Sequence, residues 1–228
     1  MNCRRTLASL TGLFVIGFSL NIASAESVGM PAPDEDSAAS FPNQNHFSPY
    51  AGRNFPTQVY WGDTHLHTGM SFDAGSFGAR LLPVDAYRFA RGEEVTSSTG
   101  LQVKLSKPLD FLVVADHSDN MGWFPELFDG NPQMLANPTV KRWYGMVQEG
   151  GQTGVAAAIE IIEAFSQGTF PMETASMPGT PTYASAWKTA IDAAEQYNDP
   201  GKFTAFIGYE WTSNDGGANL HRVVVYRD

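Results

Sequence analysis

The chain has 228 residues, with 14 Lys and Arg against 24 Asp and Glu, a net charge of −10, and one cysteine. Such an acidic surface repels nucleic acid and anionic lipid, so neither is an expected partner; an anionic substrate would need local cations, for which metal ions are the obvious source. With Cys3 alone, neither an intrachain disulfide nor a thiolate metal cage can form.

In chain order, Arg4 and Arg5 precede an apolar run from Leu10 to Leu20 and the small-residue triplet Ala23-Ser24-Ala25. This is the pattern of a cleavable secretory signal peptide over residues 1–25, and it predicts a secreted or periplasmic protein beginning at Glu26. The alternative, an uncleaved anchor helix, is disfavoured because no apolar run reaches the ~20 residues of a membrane span. Taking Arg4 and Arg5 from the 14 basic residues leaves 12 against 24 acidic, a net charge of −12. Residues 26–56 carry Pro, Ser, Asn and Asp without apolar periodicity and read as an exposed leader. The remaining 57–228 is enough chain for one domain with a substantial core.

Gln58 to Trp61 alternates like the end of a strand and leads into "WGDTHLHTGMSFDAG". Pro83 to Ala90 starts with proline at a first helical turn and predicts a short helix. Leu109 to Ala115, "LDFLVVA", is an apolar run of strand length, of the kind buried on both faces of a parallel sheet. Helical patterns follow at about 139–149, 153–167 and 182–197, the last stopped by Asn198-Asp199-Pro200-Gly201. Two more strands are expected, Phe203 to Gly208 and Val223 to Tyr226. Apolar strands separated by helices argue for an α/β fold with a parallel sheet or barrel, in which chemistry gathers at the carboxyl ends of the strands. The last strand ends two residues before Asp228, in a chain shorter than the ~250 residues of an α/β barrel, so the reading is of a fold incomplete at its C-terminal side.

Four of the five histidines stand at predicted strand ends. His65 and His67, two positions apart, point to one face and can clasp one ion. Asp73 follows in a Gly-flanked loop, "ADHSDN" supplies Asp116 and His117, "GYEWTS" supplies Glu210, and "NLHRVVVYRD" supplies His221 just before a strand. Singly, each has an ordinary explanation: a half-buried strand pair, a turn aspartate, a hydrogen-bonded core histidine, a helix-capping glutamate, a cross-strand histidine. Scattered core histidines, however, have no reason to choose strand ends each time. The set therefore predicts a metal centre, and its mixed imidazole and carboxylate ligands suit Zn, Mn or Fe without choosing among them. Carboxylate-bridged ions a few Å apart would clamp an ester and activate water. No glycine-rich phosphate loop precedes a lysine, which argues against P-loop chemistry. Arg222, beside His221, is a candidate for an anionic substrate oxygen, although an arginine beginning a strand is more often a solvated edge residue.

Taken together, "WGDTHLHTGMSFDAG", "LDFLVVADHSDNMG" and "FTAFIGYEWTS…NLHRVVVYRD" resemble the PHP (polymerase and histidinol phosphatase) superfamily, and within it the bacterial group called domain of unknown function 3604, over residues 58–228. The resemblance implies a partial distorted (β/α)7 barrel, incomplete at the C-terminal end, and a hydrolase of phosphate esters using two or three metal ions. It implies His65, His67 and Glu210 as ligands of one ion, with Glu210 bridging to a second that takes His221. Asp73 and His117 would serve a third, and Asp116 would act in proton handling. The superfamily continues with a further histidine and a late Asp-x-His motif, which this sequence lacks, so each ion would miss one ligand and the chain as given is expected to bind metal weakly and to be impaired in activity, a defect a longer parent protein would not share. The expected substrate is a small anionic ester, phosphate before sulfate, and the oligomeric state is open. Two rivals remain: an amidohydrolase-type barrel, which also carries His-x-His on its first strand, and a non-catalytic metal-binding fragment.

Overall fold

The computed structural model describes residues 58–215 and 218–227, all within the unit Pro56–Asp228. The predicted signal segment and leader lie outside the described residues. The elements begin with β1 (Gly62–Leu66), α1 (Phe72–Ser76), α2 (Pro83–Ala90), β2 (Val95–Thr96), β3 (Gln102–Val103) and β4 (Phe111–Val114). Six more helical segments follow: α3 (Trp123–Phe128), α4 (Pro132–Leu135), α5 (Pro138–Glu149), α6 (Gly151–Ser166), a 3-10 turn (Met172–Thr174) and α7 (Pro181–Tyr197). The chain closes with β5 (Thr204–Phe206), β6 (Gly208–Asp215) and β7 (Ala218–Val225). Among the described residues no helix is long and apolar enough to cross a membrane.

The architecture is mixed α/β. A parallel sheet has the order β1-β4-β5, with Asp63 opposite Leu112 and Leu112 opposite Ala205. Two antiparallel pairs, β2 with β3 and β6 with β7, accompany it. These strands do not close into a barrel. Leu112, Val113 and Val114 are each at most 3 % exposed, which explains the unbroken apolar run of the central strand. One side of this sheet packs on α2 and α7 through Tyr87, Ala90, Ala193 and Ala194. A separate helical cluster of Phe72, Trp123, Phe124, Leu127, Trp143, Ile161 and Phe170 covers the segment after β1.

The four predicted helices start within two residues of where the sequence places them, and three of them for clear local reasons. Pro83, Pro138 and Pro181 each occupy a first helical turn, where a missing N–H costs nothing. Asn137 accepts from the N–H groups of Thr139 and Val140, and Thr180 from that of Tyr183, so free donors at both helix starts are met.

Three expectations need correction. The segment after Phe206 is not a strand end followed by a separate last strand: β6 and β7 form one long antiparallel hairpin, with Glu210 opposite Val223 and Thr212 opposite His221. His221 therefore lies within a strand rather than ahead of one. Asp73 sits in the short helix α1, not in a loop. The hairpin runs close to the central strand: a Cβ at Gly208 would stand 2.6 Å from Val113 Cγ1 and 2.8 Å from the Val224 carbonyl oxygen. Only glycine allows this approach, which brings Glu210 beside the end of β4.

Candidate metal centre

The backbone assembles the site before any side chain does. Past Val114 the central strand continues as Ala115-Asp116-His117, with Ala115 N–H donating to the Leu66 carbonyl at 2.8 Å. The hairpin docks on the other side, Glu210 N–H donating to the Asp116 carbonyl at 3.0 Å and Ser118 N–H to the Glu210 carbonyl at 2.8 Å. His65 and His67 at the end of β1, His117 beyond β4, and Glu210 on β6 thus lie side by side. His221 reaches the same face because it pairs with Thr212, two residues beyond Glu210 and so on the same side of the strand.

Glu210 is the hub. Its side chain is 2 % exposed, and Oε2 lies 2.9 Å from His65 Nε2, 2.9 Å from His67 Nε2 and 3.7 Å from His117 Nε2. Its other oxygen, Oε1, lies 2.9 Å from His221 Nδ1. Ring centroids of His65 and His67, of His67 and His117, and of His117 and His221 are 5.0, 5.0 and 5.1 Å apart. Three groups, His65-His67-Glu210, His67-Asp73-His117 and His117-Glu210-His221, have ligand atoms close enough to share an ion. The residues fit a metal on a further ground: His67 Nε2 is buried and, though near Glu210, makes no hydrogen bond. A buried ring nitrogen aimed at a carboxylate without bonding it is the geometry of a ligand awaiting a cation. His65 and His221 keep 51 % and 39 % of their side chains exposed, so the centre opens to solvent on those sides.

The outer contacts of the imidazoles are also set. His67 Nδ1 lies 2.9 and 3.0 Å from the two carboxylate oxygens of Asp73. Asp73 Oδ1 also accepts from Ser71 Oγ at 2.7 Å, and the same Ser71 hydroxyl accepts from His117 N–H at 3.0 Å. His117 Nδ1 meets Thr212 Oγ1 at 2.7 Å, and Asp119 Oδ1 stands 3.6 Å away. Sequence reading passed over Ser71, Asp119 and Thr212. For Thr212 the signal was present, since a side chain two residues beyond Glu210 on a strand must share its face.

The electrostatics follow from burial and these neighbours. Burial opposes ionisation of Asp73, but the imidazoles of His117 and His67 and the Ser71 hydroxyl outweigh it and hold the carboxyl well below the usual range. Glu210 behaves alike: burial opposes its charge, while His65, His117 and His67 draw the carboxyl down. Burial works against charge on His67 and His117, yet Asp73 beside both raises them above the ordinary imidazole value. Asp116 differs. Burial pushes its carboxyl up to about 6 in spite of the bonds it accepts from Thr68.

Of the predicted site residues, the structure brings together His65, His67, Asp73, His117, Glu210 and His221. Asp116 adjoins them, but its two oxygens accept from the Thr68 N–H at 2.5 Å and the Thr68 hydroxyl at 2.7 Å. Its hydrogen bonds therefore pin the turn after His67 and involve none of the imidazoles. Arg222 is turned away. It pairs with Trp211 on the opposite face of the hairpin, and its Nη1 donates to the His221 carbonyl at 2.9 Å.

A family model described as protein of unknown function (DUF3604) matches residues 54–228. No curated protein and no solved structure matches the chain. With the greater part of the sequence covered, including every residue of the centre, the chain belongs to the DUF3604 family.

Proposed function

We propose that this chain carries the metal centre of a hydrolase that cleaves small anionic esters, phosphate esters first among them. One observation bears most of the weight: a single buried carboxylate, Glu210, faces four imidazole nitrogens, with His65 and His67 on one oxygen and His221 on the other. A lone carboxylate has no structural need of four imidazoles, and a surface salt bridge would not be buried this deeply. Divalent ions held there would supply the positive charge that binds an anionic ester and would activate water for attack. The resemblance of the motifs to the PHP superfamily supports the same reading.

The protein's own residues have separate tasks. Glu210 would join the ions, His65 and His67 would hold one side and His117 and His221 the other. Asp116 would keep the turn at Thr68 in place, its shifted carboxyl leaving it open to a proton near neutrality. Among the described residues the carboxylates of the centre bond imidazoles, hydroxyls and backbone N–H groups, and bound ions would meet the substrate's charge. The signal-like sequence at residues 1–25 supports action outside the cytoplasm, and an intact mass starting at Glu26 in exported protein would test that.

The direct experiment is to dialyse the purified chain against Zn, Mn or Fe, measure retained metal, and assay aryl phosphate mono- and diesters with and without chelator. Retained metal together with chelator-sensitive hydrolysis is expected. A chain that retains none of the three metals would defeat the reading.

A further inference from the structure

Beside the centre lies a cavity of about 230 Å³, where the end of β1 meets α2 and the β2–β3 pair. Its apolar walls are Leu66 on β1, Leu81 ahead of α2, Ala86 and Phe89 on α2, Val95 on β2 and Val103 on β3. Local geometry turns these residues to one place. Ala86 and Phe89 are three positions apart and share a helix face. Val95 and Val103 stand directly opposite one another in the antiparallel pair, so their side chains leave the same side of the ribbon. The ribbon is tied back to the chain ahead of α2, the Arg80 N–H donating to Ser98 Oγ at 2.9 Å. On the other rim, the Gly69 N–H donates to the Leu81 carbonyl at 2.7 Å.

The polar residues along the lining are committed elsewhere. Asp85 accepts from the Leu82 N–H at 3.3 Å and from Arg88 Nη1 at 3.4 Å. Thr68 donates to Asp116 at 2.7 Å and accepts from the Met70 N–H at 3.2 Å. His67 turns Nδ1 to Asp73 and Nε2 toward Glu210. Among the described residues that line the cavity, none is a lysine or arginine. Such a lining offers poor partners to a phosphate, and too few for the hydroxyls of a sugar or the edge of a nucleobase. An apolar group suits it, since an apolar cavity of about 150 Å³ already takes a benzene ring.

His67 joins this cavity to the centre. It lines the cavity, and its ring stands 5.0 Å, centroid to centroid, from those of both His65 and His117. We propose that the cavity takes the apolar organic part of the ester whose anionic head meets the metal centre. The substrate is then the ester of a hydrophobic alcohol, ring-bearing or branched, rather than a sugar or nucleotide ester. The proposal rests on the hydrolase reading above and adds to it the class of the organic group, with Phe89, Val95 and Val103 as specificity-determining residues.

Two measurements on the full chain test it, with Val103→Trp to fill the cavity and Val103→Ala to leave it open. In the first, phenol is titrated into metal-free protein and the methyl NMR signals of Leu81 and Val95 are followed. Saturable shifts are expected in the wild type and in Val103→Ala, and none in Val103→Trp. In the second, metal-bearing protein is assayed on benzyl phosphate and methyl phosphate, esters of alcohols of similar acidity. The ratio of their kcat/KM values should favour the benzyl ester by about 10–100-fold in the wild type, as burial of a phenyl-sized group implies, and should collapse toward unity in Val103→Trp. If that variant fails to fold, the phenol titration and the ratio in the wild type still decide. Absence of saturable phenol shifts, or equal kcat/KM for the two esters, would overturn the proposal and leave the hydrolase reading in place. Phenol shifts with turnover of neither ester by metal-bearing protein would remove the substrate role together with that reading.

Discussion

Glu210 is 1 % exposed and still holds its carboxyl below the ordinary range, while His67 and His117 lie above theirs and Asp116 rises to about 6. These shifts fix a pH dependence. Stability carried by the raised groups is fully present below their unfolded values, near 4 for Asp116 and 6.5 for the histidines, and is lost as pH rises through the folded ones. Asp73 and Glu210 act with the opposite sign, but their stabilisation is lost only as pH falls through their lowered values, below that window. Metal-free protein should therefore melt at a higher temperature at about pH 5.5 than at about pH 8, and bound metal should reverse the order because ligation needs unprotonated imidazoles. Thermal scans with and without chelator at both values decide this; a metal-free midpoint higher at the alkaline value contradicts it. Thr212 gives a second test at this scale. Thr212→Val removes the partner of His117 Nδ1 and should weaken metal binding by about 10–100-fold, with Thr212→Ser restoring it. Equal affinities in the valine variant and the wild type would show that the hydroxyl does not orient His117.

The hairpin β6–β7 is the element on which the centre depends, and Gly208 sets where it lies. Gly208→Ala places a methyl against Val113 Cγ1 at 2.6 Å and the Val224 carbonyl at 2.8 Å, and the backbone oxygen has no rotamer by which to yield. The hairpin should shift, at a cost of about 1–3 kcal/mol in stability, and metal affinity should fall although no ligand has changed. Chemical denaturation and metal titration of the variant measure both, and unaltered affinity would detach the hairpin's position from the site. This element was also the least legible in the sequence. Helices α2, α5 and α7 could be read within a few residues because Pro83, Asn137-Pro138 and Thr180-Pro181 mark local starts that depend on nothing distant. The buried run before Asp116 gave β4 for the same reason. The hairpin was hidden because its outer stretch is polar, leaving only Val223 to Tyr226 apolar enough to read as a strand. The Asp215-Gly216-Gly217 run, a recognised turn signal, was the clue available. The histidines and Glu210 stand out by residue type and spacing, whereas the face Arg222 takes, opposite Trp211, depends on a pairing register that sequence alone leaves open.

At the scale of the whole molecule, the centre ties together three segments far apart in the chain: the end of β1 with α1, the end of β4, and the hairpin. His65 and Glu210 are 145 positions apart and 2.9 Å apart in space. Ions that bind only when these segments are assembled must stabilise the fold by mass action, by about 2.7 kcal/mol at a free metal concentration one hundred times Kd. For a domain of this size that corresponds to a rise of roughly 5–10 °C in Tm. Glu210→Gln tests whether the gain comes from this centre. The amide keeps the size of the side chain and an oxygen that accepts from the imidazoles, so the variant should stay folded. It loses the negative charge that would offset bound divalent ions, and the rise in Tm on adding Zn or Mn should disappear. Scanning wild type and variant across a metal titration, with chelator to reverse it, gives the answer directly. An equal metal-induced rise in the two proteins would put the ions elsewhere on the molecule and take the Glu210 centre, and the hydrolase built on it, out of consideration.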